Sequence, residues 1–492
     1  MLFLLACGPR LEELPEPGDW TTEGPGGPQV AFDEADIGVA CASLYGDPEL
    51  ESEHHNLVVM HDGYLLMPWA PESGGGGLAW FDVSDPCEPV KVAEVYDAGM
   101  RESHTLAFGW VDGREYLAVD SIRDEGARGG VGIWDVTDKE NAEWVAEIDL
   151  PEFLYPEAYF WVSLSTFWQG DELYVSAGLL GTYVIDVSDP LNPEIINHVG
   201  PFVPQVVGSM HVLGNVGMSS SAGAAKTVMY DLSVPGELGP IAGGDWDVRD
   251  EEGDVVAYYF ANTGGKYGLF ARKADLGGPI VYDISDPSEP TWVGGFLNAE
   301  GDGGYVFRHE DRLFQGESEF GSIYDFSDPA NMTEIHRFDL AGDMDTITPI
   351  GNVAVLSVDS GAVDSLATTM VPWDTAIDAR GPVAELTNPA DGATQVALTA
   401  RIGLSFDELL EIRSVHSGSL RVWDGTGAAV PGRFNVQENL VNFTPDEELL
   451  PDTTYFVSVP TGGIADSTLN PTEDELRFSF STGAEIDEWP SR

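Results

Sequence analysis

Pro279-Ile-Val-Tyr-Asp283-Ile-Ser-Asp286-Pro287 decides the fold, because its pattern recurs along the chain. Upstream it appears as Leu78-Ala-Trp-Phe-Asp82-Val-Ser-Asp85-Pro86, Val131-Gly-Ile-Trp-Asp135-Val-Thr-Asp138, Thr182-Tyr-Val-Ile-Asp186-Val-Ser-Asp189-Pro190 and Thr227-Val-Met-Tyr-Asp231-Leu-Ser. Downstream it returns as Gly321-Ser-Ile-Tyr-Asp325-Phe-Ser-Asp328-Pro329. The central aspartates are 53, 51, 45, 52 and 42 positions apart. A run of aliphatic, β-branched and aromatic residues reads as a buried strand. The Asp and Ser that follow can bond nearby backbone N–H groups and end it, and Asp-Pro sets a turn.

A hairpin precedes each copy. Leu57 to Met67 turns at Asp62-Gly63, and Leu106 to Val119 turns at Asp112-Gly113. Val162 to Ser176, Val306 to Gln315 and Ile347 to Val358 repeat the arrangement. Each unit is therefore four antiparallel strands. One such sheet cannot bury both faces, and radial packing of several can, so the expectation is an all-β, about seven-bladed β-propeller. Six units carry the signature. A seventh starts near Asp345 and has a third strand at Leu366 to Val371, with Gln29 to Leu44 supplying its missing outer strand and closing the ring.

These repeats resemble the LVIVD-repeat family over roughly Gln29 to Arg380; the fourth copy departs, with Val234-Pro235 in place of Asp-Pro. The resemblance implies a propeller and no particular activity. Beyond Arg380, Pro382 to Thr394 resembles the start of a bacterial Ig-like domain of the SbsA type. Ile402 to Asp407, Val441 to Pro445, Leu450 to Val459 and Leu476 to Gly483 alternate like strands with one buried face. The expected organisation is 1–28 signal remnant and flexible tether, 29–380 propeller, 381–484 Ig-like β-sandwich and 485–492 tail.

Composition narrows the function. Lys plus Arg number 22 against 84 Asp plus Glu, a net charge of −62. Such a chain repels nucleic acid and anionic bilayers. Carboxylates crowd Asp245 to Asp254 and Asp339 to Asp345, but neither stretch has the ladder of a calcium loop. Leu4-Leu5-Ala6-Cys7 resembles a bacterial lipobox with Cys7 as the lipidated residue. That places the chain outside the cytoplasm, anchored by lipid alone to the outer membrane or cell surface. Cys41 and Cys87 remain as an even pair, either a disulfide or two buried thiols.

One constellation can carry chemistry. Aligning the starts of the innermost strands matches Glu53-His54-His55, Glu102-Ser103-His104, Ser209-Met210-His211 and Asp343-Met344-Asp345. His55, His104, His211 and Asp345 would then converge on one mouth of the channel, with Glu53, Glu102, Ser209 and Asp343 as a second tier. Imidazoles and carboxylates so arranged suit Zn or another divalent metal. The competing reading is polar residues at a wet mouth, alike through duplication. Ser163, Tyr258 and Gly303 take this place in the other blades, so the ring is incomplete. His61 and His309 flank hairpin turns and are expected at the surface. No nucleophile elbow, zincin helix or phosphate loop occurs. The sequence thus favours a non-catalytic surface scaffold binding a protein or glycan, with a metal-dependent extracytoplasmic enzyme or metal-binding protein as the alternative.

Overall fold

The computed structural model describes residues 9–44, 57–71, 74–122, 129–151, 165–200, 206–273, 276–360 and 368–484. Blade one is formed by Val59–His61, Tyr64–Trp69, Gly76–Asp82 and Val90–Asp97, paired in that order. Blades two to five start at Ala107–Val111, Ser165–Gln169, Val207–Leu213 and Tyr258–Gly264, and each has four antiparallel strands. Blades six and seven share one strand, Thr333–Ile350. Its first half pairs with Ser318–Asp325 as the outer strand of blade six, and its second half with Val353–Ser360 as the inner strand of blade seven. The ring is closed by Ala42–Leu44, which pairs with Thr368–Pro372 as the outer strand of blade seven. Cys41, beside this closing strand, is disulfide-bonded to Cys87 in the Asp-Pro turn of blade one.

The signature residues do what their chemistry dictates. Asp82, Asp186, Asp231, Asp283 and Asp325 each accept from the backbone N–H of the serine two residues on, and Asp135 accepts likewise from Thr137. Each blade with the signature also has a register shift between its third and fourth strands, next to the aromatic or aliphatic residue before that Asp. Such a bulge bends the outer strand and increases its local twist. It recurs just before the Asp whose carboxylate takes the N–H of the Ser or Thr beyond the strand end.

The C-terminal domain is a two-sheet sandwich. Ala384–Asn388, Ile402–Phe406, Leu440–Pro445 and Gly432–Gln437 form one sheet; Arg421–Asp424, Thr454–Val459 and Leu476–Ser481 form the other. The first sheet continues into blade two, where Asn435 and Val436 pair with Gly109 and Phe108 of its innermost strand. One apolar cluster accordingly runs from Trp80, Phe108 and Trp134 of the propeller to Leu404, Phe443 and Phe478 of the sandwich. The stretch read as a flexible tether is docked from Pro9 onward. Arg10 bridges to Ala428, Trp20 Nε1 donates to Gly463 O, and Gly24 and Gly26 donate to Asp62 and Gly63 of blade one. Pro and Gly leave few side chains to keep this segment away, and its backbone N–H groups find carbonyls in both domains.

Candidate functional site

At the mouth where the inner strands begin, the connection into blade two crosses the channel. His104, 1% exposed, lies with its ring 5.1 Å from that of Phe260 in blade five and 6.4 Å from that of Tyr305 before blade six. Phe260 and Tyr305 stack on each other at 4.9 Å. His104 Nε2 is 3.2 Å from Glu102 Oε1, and Arg101 lies 3.8 Å from the other carboxylate oxygen. All three are buried. Tyr305 donates its backbone N–H to Asp345 O, and Lys273 sits over Tyr259 while pairing with Asp302 at 3.3 Å. Among the described residues, the mouth thus brings together stacked aromatic rings and the ion pairs of Glu102 and Asp302.

Of the four expected metal ligands, the three that are described, His104, His211 and Asp345, do not share a place in their blades. Hairpin turns give the register: Val111 pairs across the turn with Arg114, Leu213 with Val216 and Ile350 with Val353. His104 stands seven residues before Val111, His211 two before Leu213 and Asp345 five before Ile350. His211 therefore lies toward the opposite end of the propeller. There it lines an apolar hollow with Met218 and Met229 of blade four and Leu386 and Leu440 of the Ig-like domain. Burial pulls its imidazole down to about 4, so it is neutral. Among the described residues, His104, His211 and Asp345 form no set with ligand atoms within 4.8 Å of one another. Asp343, half-buried, pairs with Ser360 in the blade-seven ladder. Glu53, His55, Ser163 and Cys7 lie outside the described residues. The two acidic runs are held by neighbours: Lys226 faces Asp245 and Asp247, Arg272 faces Asp250 and Glu251, and the Asp339 to Asp345 run belongs to the shared strand.

The other mouth is where the two domains meet. The turn of blade one donates from Asp62 N and Gly63 N to the two oxygens of Glu411, at 2.8 and 3.1 Å. Blade three donates from Gly170 N to Asn435 Oδ1 and blade four from Gly214 N to Asn442 Oδ1. Blade five donates from Gly265 N to Phe406 O and blade six from Glu310 N to Asp407 O. The Ig-like domain thus seals the hairpin end of the channel by pairing turn amides that solvent would otherwise hydrate.

His61 and His309, expected at the surface, are buried for this reason. Trp80 Nε1 donates to His61 Nδ1, which leaves Nε2 to face Glu115 at 3.1 Å. Burial pushes the Glu115 carboxyl up, but His61 and Arg413 of the Ig-like domain outweigh it and hold it below the ordinary value. Arg413 also pairs with Asp62, which pairs in turn with Lys139. Arg401 is a second buried cation. It donates to Gln169 and Tyr174 of blade three and pairs with Glu172 at 2.6 Å. Sequence reading passed over Arg401, Glu411, Asn435 and Asn442. A signal was present in His61 and His309, two imidazoles each directly before the inner hairpin turn of its blade.

The strand pairing and this junction define a β-propeller with an Ig-like sandwich docked across one mouth. Residues 267–297 match the LVIVD repeat and residues 378–482 the bacterial Ig-like domain. No curated protein matches the chain. Among solved structures, the β-propeller domain of Cps50 (Swd1) from Myceliophteria thermophila is 10% identical, with a TM-score of 0.47 over 67% of this chain and 98% of that one. The computationally designed Ika8 protein is 11% identical, with a TM-score of 0.43 over 68% and 99%. A protein from Lactobacillus plantarum is 11% identical, with a TM-score of 0.44 over 66% and 98%.

Proposed function

We propose that this protein is a non-catalytic binding scaffold, held outside the bacterial cell by a lipid on Cys7, which offers the propeller to a protein or glycan partner. The observation that carries the reading is the docked junction. Among the described residues, the channel is sealed at one end by the second domain and His104 is buried under aromatic rings at the other, so they present no open polar constellation to a small substrate. Its outer strands do expose large apolar side chains, Val90 and Tyr96 on blade one, Ile196 on blade three and Trp292 on blade five. Such a surface suits macromolecular contact. The charge of −62 directs that contact away from anionic partners.

Two measurements test the reading with the full chain. Metabolic labelling with a clickable fatty acid should mark the wild type and not Cys7→Ser; equal labelling, or none, removes the anchor. Cross-linking on intact cells should capture the same partner with wild type and His104→Ala, and lose it with Trp292→Asp. A partner lost only with His104→Ala would move the function to the channel mouth.

A further inference from the structure

His309 closes the inner hairpin of blade six, Asp378 lies in the connection between the domains, and Glu408 follows the second strand of the Ig-like domain. One ligand atom from each falls within 4.8 Å of the others. His309 Nδ1 is 3.2 Å from Glu408 Oε2, and its Nε2 is 3.7 Å from Asp378 Oδ2. The Glu408 side chain is 1% exposed, and its Oε1 accepts no hydrogen bond; nor does Asp378 Oδ2. Asp466, fully buried, is close enough for both carboxylates to act on it, though its own oxygens accept from Thr468 and Asn470. The nearby Arg380 faces Glu310 and Asp407 instead. Three buried carboxylates thus stand against one imidazole, and burying unmatched charge is expensive.

We propose that His309, Asp378 and Glu408 bind one divalent transition-metal ion, Zn2+ in the first instance, which clamps blade six, the interdomain connection and the Ig-like domain together. One nitrogen and two carboxylate oxygens from three separate elements match the preferences of Zn2+. Ca2+ fits poorly, since it takes six to eight oxygens and has little use for an imidazole. The ligand oxygens without hydrogen-bond partners are those a cation would occupy. The site is structural: the hollow beside it is lined by Arg380, Val383, Phe406 and Thr472 and by none of the three ligands, and its three sources meet only when the domains are docked. Metal binding would therefore add directly to the stability of the junction.

The test uses the full chain, purified without chelator. Elemental analysis should give about one equivalent of Zn2+ per chain, falling at least tenfold in Glu408→Gln and in Asp378→Asn, and unchanged in His104→Ala. Dialysis against EDTA should lower the melting temperature by several degrees, and ZnCl2 should restore it in the wild type only. This second readout holds even if one variant folds poorly. Metal below a tenth of an equivalent, with a melting temperature indifferent to EDTA and ZnCl2, would overturn the proposal and leave an ion cluster neutralised by protons. Zn2+ retained by both carboxylate variants would overturn the location, and Ca2+ in its place the choice of metal.

Discussion

Glu411 shows how much a single side chain can carry at the junction. Its two oxygens take both turn amides of blade one, and the residue is fully buried. Removing an acceptor from a buried donor costs about 1–3 kcal/mol. Glu411→Ala is expected to lower stability by at least that much in denaturant unfolding, whereas an exposed control such as Glu94→Ala should change it by less than about 0.5 kcal/mol. Glu438, at the tip of the hairpin that meets blade two, contributes one pH dependence. Burial alone raises its carboxyl from 4.5 to about 8. The folded protein keeps a proton there that the unfolded chain has lost, so this contribution to stability is full below pH 4.5 and disappears as pH rises toward 8. Glu438→Gln should therefore match the wild type near pH 4 and melt progressively higher than it up to pH 8. A difference in melting temperature that does not vary with pH would contradict this. Neither residue stands out in the sequence. A glutamate beside a turn reads as solvated until a second domain covers the turn.

At the level of elements, the closing strand and the inner hairpins matter most. Ala42–Leu44 has only three residues, and Cys41 ties its start to blade one across 46 positions of sequence. Cys41→Ser with Cys87→Ser should cost roughly 2–4 kcal/mol, as loss of such a cross-link usually does. Amide exchange should then rise first at Ala42–Leu44 and Thr368–Pro372. Gly403 is the corresponding point in the Ig-like domain. A Cβ there would lie 2.2 Å from the backbone N of Gly214 in the blade-four turn. Gly403→Ala must push the two domains apart and should destabilise the protein by several kcal/mol, in the manner of other overpacked sites. The strands themselves were legible from the repeat and from alternation, including the closing role of the N-terminal stretch. The alignment of inner strands was not. Counting from strand starts matched His211 to His104, whereas counting from the hairpin turns separates them by five positions.

For the whole molecule, the expectation from sequence was two domains in series. Shared backbone pairing, the common apolar cluster and the docked segment from Pro9 instead join them in one packed body. Calorimetry should accordingly show a single transition for propeller and Ig-like domain. Two well-separated transitions would mean that the junction opens independently of both cores. The same union explains why two histidines assigned to the surface are buried.

What the sequence determined by itself was the repeat: strand, Asp-Ser stop, Asp-Pro turn and hairpin, and hence a ring of blades followed by a sandwich. These features are local and repeat every few dozen residues, so alternation and turn chemistry disclose them. Only the tertiary structure decided which end of the channel the sandwich covers, that His309, Asp378 and Glu408 meet, and that Arg401 and Glu411 are buried. Each of these depends on contacts between residues tens to hundreds of positions apart, and polar side chains at such contacts look the same in sequence as those facing water.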